Sequence, residues 1–281
     1  MTEQTFTLGP ALLFCPADRP ERFAKAAERA DAVILDLEDA VAPDKKAEAR
    51  ANLAGAGTDP ERTVVRVNSA DTGLLEADLD ALKDTPFRTV MLAKAESAEP
   101  VRLIRAALAG ARVILLCETA LGVVRASELA EEDGVVALMW GAEDLVASLG
   151  GQSSRRKDGS YRDIATTARA NVLLAAGAAG RAAIDAVYVD IPDLDGLAAE
   201  AEDAVASGFA AKACIHPSQA GPIRAAYLPT EEEAEAARKL VEAAKDQPGV
   251  FRYEGRMVDA PLVRHAERTI ARAEQAARAS E

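Results

Sequence analysis

The chain lacks several things, and each absence removes a class of function. Nothing in it approaches the ~20 consecutive apolar residues that a membrane span needs, and the N-terminal MTEQTFTLGP has no basic stretch leading into an apolar one. The protein therefore reads as cytoplasmic. Its three cysteines, Cys15, Cys117 and Cys214, are odd in number and far apart, with no CxxC pair. They read as reduced thiols in a reducing compartment rather than a disulfide framework. There are two histidines and no HxH or HExxH pattern, which argues against zinc. Positive charge is also short: 33 Lys and Arg stand against 46 Asp and Glu, a net charge of −13. Such a surface disfavours non-specific binding to nucleic acid or anionic membrane, so any phosphate-bearing ligand needs a local basic patch.

What the chain does have is core-forming material, 49% hydrophobic residues over 281 positions. Three apolar runs end in acid: VILDLED (Val33 to Asp39), RVILLCE (Arg112 to Glu118) and VALMWGAED (Val136 to Asp144). A Val/Ile/Leu run of this kind reads as a buried parallel strand, and its carboxyl end is where α/β folds bind ligands. Eight strand candidates alternate with helical stretches: ALLFCPA, AVILDLED, TVVRVNS, TVMLAKAES, RVILLCET, VVALMWGAED, DAVYVDI and AKACIHPS. The helical stretches include PERFAKAAERA, DKKAEARANLAG, LLEADLDALKD, PVRLIRAALAG and LDGLAAEAEDAVASG. Eight β-then-α units predict an α/β fold, a (β/α)8 TIM barrel, over residues 1–228. Residues 229–281 are a C-terminal helical extension: a helix from a Thr cap in LPTEEEAEAARKLVEAAKDQPG, an extended Gly-kinked piece FRYEGRMVDAP, and an amphipathic last helix.

Carboxylates converging at strand ends repel unless a divalent cation or a base holds them. Glu118 and Asp144 sit where the fifth and sixth strands turn into helices, as hard oxygen ligands for Mg2+ or, alternatively, as helix caps. On adjacent strands the pair favours the metal. Arg66, flanked by valines, must meet a substrate anion or pair with Asp36 or Glu38. Lys94 reads as a Schiff-base lysine or, more simply, a salt-bridge partner among these acids. Arg19, Arg22 and Lys25 form a basic cluster at the first helix, for phosphate or merely solvated. The loop Gly150 to Asp163 is basic and bracketed by glycine, suiting a mobile, substrate-selecting lid or plain surface.

The motifs FCPADRPERFAKAAERADAVILDLEDAVAPDKKAEAR, VVRVNS, LAKAES, CETALGVV, MWGAEDL, CIHPSQ and GRMVDAP resemble the HpcH/HpaI aldolase and citrate lyase beta-subunit superfamily. The likeness runs from about residue 10 to about residue 270 and is nearest to the stand-alone citrate lyase beta-like proteins and the malyl-CoA or citramalyl-CoA lyases. The resemblance implies a Mg2+-dependent carbon-carbon lyase, usually a homotrimer or a dimer of trimers, acting on a 3-hydroxyacyl-CoA. It implies Glu118 and Asp144 as metal ligands, Arg66 on the keto-acid end and the thioester enolate, and Glu38 with Asp39 holding waters or orienting Arg66. It also implies Asp259 as general acid/base from the tail, in its own or a neighbouring subunit. Phe14, Arg19, Lys25, Ile215 and His216 fall on the CoA side. His216-Pro217 stands where the multi-enzyme subunits carry Asn-Pro, which points away from that complex. Two other readings remain: a pyruvate-type metal aldolase without CoA, and a non-catalytic CoA-ester-binding subunit.

Overall fold

The apolar runs become parallel strands because a strand covered on both faces can bury every side chain. The computed structural model describes residues 6–245, 247 and 249–279. Its strands are β1 (Ala11–Pro16), β2 (Ala32–Asp36), β3 (Thr63–Val67), β4 (Thr89–Leu92), β5 (Arg112–Cys117), β6 (Val135–Trp140), β7 (Ala182–Asp185) and β8 (Ala211–Cys214). They close in sequence order into a barrel, β8 returning to β1 with Ala11 beside Lys212. The fold is the expected (β/α)8 barrel.

Helices α1 (Phe23–Arg29), α2 (Lys46–Leu53), α3 (Leu75–Lys83), α4 (Ala98–Ala107) and α5 (Ala120–Ala130) make the first crossovers. Two helices, α6 (Ala142–Ser148) and α7 (Asp163–Ala178), lie between β6 and β7; α8 (Leu194–Ser207) precedes β8 and α9 (Ala220–Tyr227) follows it. In α4 the helical period is plain: Pro100, Val101 and Ile104 are buried while Glu99, Arg102 and Arg105 are exposed.

One strand departs from expectation. The sequence places the seventh strand over DAVYVDI, whereas β7 ends at Asp185, the first residue of that run. Side chains take the carbonyls that would extend it: Lys212 Nζ donates to Ala186 O at 2.7 Å and Gln219 Nε2 to Tyr188 O at 2.8 Å. These carbonyls are satisfied by side chains instead of by a neighbouring strand, and the Tyr-Val alternation lies outside the sheet.

Inside the barrel, Ala32, Ile34, Val64, Met91, Ile114, Leu116 and Ile184 belong to one apolar cluster. Side chains in a strand alternate faces with period two. Asp36 lies two residues past Ile34, Arg66 two past Val64, and Glu118 two past Leu116, so these polar groups continue the inward row at its carboxyl end. Strand register sets Asp36 directly beside Arg66.

The chain divides into two compact units between Ile223 and Arg224. In the second, α10 (Glu231–Ala244) starts with a reciprocal cap, Glu233 N–H donating to Thr230 Oγ1 at 3.1 Å and Thr230 N–H to Glu233 Oε2 at 2.8 Å. The Gly-kinked piece is a hairpin of β9 (Phe251–Tyr253) and β10 (Arg256–Val258), turning through Glu254 and Gly255 at φ 47° and 82°. Positive φ at both central residues is the turn that suits the twist of a hairpin. Helix α11 (Ala260–Ala279) packs on α10. Among the described residues no helix is long and apolar enough to cross a membrane.

Candidate active site

Arg66 is the hub of the site. Its Nε and Nη2 donate to the two oxygens of Asp36 at 2.7 and 2.6 Å, its Nη1 lies 3.1 Å from Glu38 Oε2, and its guanidinium carbon sits 4.8 Å from the centre of the Phe14 ring. Burial works against the guanidinium charge, but Asp36 and Glu38 outweigh it and hold Arg66 above its ordinary value. A guanidinium carries five N–H donors. Three meet these carboxylates, which leaves two for an anionic oxygen. Both sequence readings of Arg66, structural pair and substrate anchor, are thus compatible with one side chain.

Glu118 and Asp144 stand on the far side of this hub. The cap reading fails for Glu118, because the N-cap of α5 is Thr119, whose side chain accepts Gly122 N–H at 3.0 Å. The N-cap of α6 is Gly141, with Asp144 in the first turn and no side-chain cap bond. Glu118 is 3% exposed, and its Oε1 accepts the Lys94 backbone N–H at 3.1 Å. Burial first, and then the charge of Asp144, push the Glu118 carboxyl up to about 8. Gly141 makes the room for it: a Cβ there would lie 2.7 Å from Glu118 Cβ and 2.9 Å from Oε2.

Lys94 joins the two sides. Its ammonium bonds to Glu38 Oε1, lies 3.2 Å from Asp39 Oδ2 and 3.8 Å from Asp144 Oδ1. Its backbone is left-handed at φ 48°, a conformation that a non-glycine residue adopts only where its surroundings enforce it. Asp39 is pulled below its ordinary value: burial opposes this, but the bond to Lys94 prevails. The salt-bridge reading of Lys94 therefore describes its geometry.

These groups fit one hard divalent cation. Five carboxylates, Asp36, Glu38, Asp39, Glu118 and Asp144, share this end with three cations, Arg66, Lys94 and Lys46, and the burial and Asp144 charge that push the Glu118 carboxyl up are what a divalent cation there would offset. Among the described residues no three His, Cys, Asp or Glu side chains are grouped so as to hold a metal ion, so the protein offers a pair rather than a cage. A pair of carboxylates is a hard oxygen donor set, which suits Mg2+ better than zinc with its preference for nitrogen and sulfur.

Some supporting residues were missed in the sequence. Lys46, on α2, donates to Leu37 O at 2.6 Å, Glu38 O at 2.7 Å and Asn68 Oδ1 at 2.8 Å, fixing the turn that carries Glu38. Asn68 in turn donates N–H and Nδ2 to Asp78 Oδ2, each at 2.7 Å, and Arg50 Nε holds Asp78 Oδ1 at 2.7 Å. The available signal was Asp78 itself, a carboxylate on the apolar stripe of Leu75, Leu79 and Leu82. A charge on a core-facing stripe needs a partner.

The remaining candidates lie at exposed positions, in a loop or in the second unit. Arg19 and Lys25 are exposed, Arg19 Nε lying 3.9 Å from Asp18. Ile215 is exposed, and His216 is an exposed cap whose Nδ1 accepts Ser218 N–H at 3.2 Å. The Gly150 to Asp163 loop is strapped down. Ser154 Oγ donates to Glu143 at 2.5 Å, and Arg155 lies 3.8 Å over the Tyr161 ring and 2.7 Å from Glu200. Glu200 meets the fully buried Lys212 at 2.8 Å, and Lys212 meets Asp185 at 2.9 Å. Asp259 belongs to the second unit, where its Oδ1 accepts the Leu262 N–H at 3.3 Å.

Comparison with known proteins accords with this site. The family model described as HpcH/HpaI aldolase/citrate lyase matches residues 11–217. A citrate lyase subunit beta-like protein of Mycobacterium tuberculosis is 54% identical over 268 residues, covering 95% of this chain and 97% of the relative. The mitochondrial citramalyl-CoA lyase of Rattus norvegicus is 31% identical over 290 residues, covering 92% and 84%. The crystal structure of CitE from M. tuberculosis in complex with magnesium, acetoacetate and coenzyme A superposes with a TM-score of 0.87 at 54% identity, covering 95% of this chain and 98% of that one. The chain belongs to the HpcH/HpaI aldolase/citrate lyase family, and with it to the carbon-carbon lyases.

Proposed function

We propose that the protein is a Mg2+-dependent acyl-CoA lyase that cleaves a short 3-hydroxyacyl-CoA bearing a second carboxylate to acetyl-CoA and a keto acid. The substrate class is that of malyl-, citramalyl-, 3-hydroxy-3-methylglutaryl- or citryl-CoA. The observation that carries this reading is one barrel end holding both a two-carboxylate donor pair, Glu118 and Asp144, and a guanidinium with two donors left over. A relative bound to magnesium, acetoacetate and CoA supports it.

Mg2+ held by Glu118 and Asp144 would supply Lewis-acid polarisation of the substrate oxygens. Arg66 does the rest of the charge work. Carbon-carbon cleavage leaves negative charge on the thioester oxygen, and the two remaining Arg66 donors can bind that oxygen more strongly in the transition state than in the substrate. Asp36 and Glu38 keep the guanidinium in place, so no reorientation is needed as the charge forms. A base takes the hydroxyl proton, and Asp259, brought from the tail of the same or a neighbouring subunit of a trimer, protonates the enolate carbon to the acetyl methyl. Phe14, Arg19, Lys25, Ile215 and His216 form the CoA side.

The test is a panel of CoA thioesters with purified protein and Mg2+, read by mass spectrometry for acetyl-CoA and keto acid. Wild type should release both, and Glu118→Ala should lose turnover by about a hundredfold or more together with Mg2+ affinity. Turnover of free 4-hydroxy-2-keto acids alone would instead mean an aldolase, and tight thioester binding without product a sensor. Full activity and metal affinity in Glu118→Ala would end the metal reading.

A further inference from the structure

The acidic cluster contains more carboxylates than a two-ligand Mg2+ site uses, yet with Lys94 among them no three of the described residues' carboxylates are grouped so as to hold a metal ion. Asp39 is 60% exposed and Asp144 41% exposed at the side chain, close enough to share one cation. That cation is the Lys94 ammonium, which bonds to Glu38 and Asp39 and reaches Asp144 at 3.8 Å. Arg66 takes the other oxygen of Glu38 at 3.1 Å, and Asp39 N–H donates to that oxygen at 2.8 Å. Both oxygens of Glu38 are thereby committed. Glu118, by contrast, has no ammonium or guanidinium within 4.0 Å among the described residues and receives only the Lys94 backbone N–H.

We propose that Lys94 is a positioning residue that allocates the cluster: its ammonium withholds Glu38 and Asp39 from the metal while its left-handed backbone aims an N–H at Glu118, so that the ion is left with Glu118 and Asp144. The proposal rests on the metal reading given above. Its consequence is metal selectivity. Mg2+ is content with one or two carboxylates and several waters, whereas Ca2+ accepts more oxygen ligands in a looser shell. With the ammonium gone, Glu38 and Asp39 become available as extra ligands, and the centre gains what Ca2+ uses and Mg2+ does not.

The experiment is calorimetric titration of Mg2+ and of Ca2+ into purified wild type, Lys94→Met, Lys94→Gly, Lys94→Arg and Glu118→Gln, without substrate. Lys94→Gly accepts φ 48° at no steric cost and guards against a variant that fails to fold. We expect both charge-removing variants to shift the ratio of Mg2+ to Ca2+ affinity about tenfold or more towards Ca2+, with Lys94→Arg near wild type. A structural role alone would weaken both ions alike, so an unchanged ratio overturns the proposal. The underlying reading fails differently: Glu118→Gln would then bind Mg2+ as wild type does.

Discussion

Arg66→Met tests whether the hub is held as described, and the cost can be worked from both sides. Removing one partner of a buried ion pair costs about 3–5 kcal/mol, because the other charge is left without compensation. Here the stranded charge is Asp36, whose side chain is fully buried. Two backbone donors remain to it, Glu38 N–H at 2.8 Å and Ala40 N–H at 3.2 Å, which argues for the lower half of that range. An upper bound comes from protonation: neutralising an ordinary aspartate at pH 7 costs about 4 kcal/mol, roughly three pH units at 1.4 kcal/mol each. The expected loss is therefore about 3–4 kcal/mol, read from urea unfolding. Adding Asp36→Asn removes the stranded charge, so the double variant should be more stable than Arg66→Met alone. An Arg66→Met protein as stable as wild type, or a double variant less stable than the single, would refute the argument.

Two further outcomes are expected. Gly141→Ala sets a Cβ 2.7 Å from Glu118 Cβ, so the carboxylate must shift; stability should fall by about 1–3 kcal/mol, the ordinary range for overpacking, and calorimetry should find weaker Mg2+ binding. A variant that binds Mg2+ as tightly as wild type would show that Glu118 need not sit where it does. The second concerns Asp185: burial alone would raise its pKa, but Lys212 and Arg169 pull it below the ordinary 3.8. A depressed folded value means stability that is complete above 3.8 and lost as pH falls through the lower folded one. Asp185→Asn should accordingly flatten the acid limb of the urea midpoint below pH 4, and parallel limbs would contradict it.

Which parts of the molecule were legible in the sequence follows from how far each interaction reaches along the chain. The strands β1 to β6 and β8 were legible because burial on both faces forces apolar runs, and the Thr230 cap because Glu233 stands three residues on. The seventh strand was not, because its end is set from outside it. Lys212, 26 residues after Ala186, takes the carbonyl that would have extended β7. The same holds for the supports of Glu38. Lys46 reads as one more charge on a solvated helix until its ammonium is found on three oxygens, and Asn68 as a strand end until Asp78 is found beneath it.

A barrel turns local alternation into a shared site, and this explains why individual residues announced themselves while their division of labour did not. Period two along β2, β3 and β5 sends Asp36, Arg66 and Glu118 inward, which any reading of alternation can find. Closure then brings them together, and at that point what each carboxylate does depends on which cation is nearest. Glu38 and Glu118 are both glutamates just past a strand, both nearly buried, at 4% and 3% exposure. One is held by Arg66 and Lys94 and the other by a single backbone N–H. Nothing within either motif predicts that difference. It comes from Lys94, whose left-handed turn reaches backwards to β2 with its side chain and forwards to β5 with its backbone. The metal pair is consequently defined as much by the ammonium that occupies its neighbours as by the two carboxylates themselves.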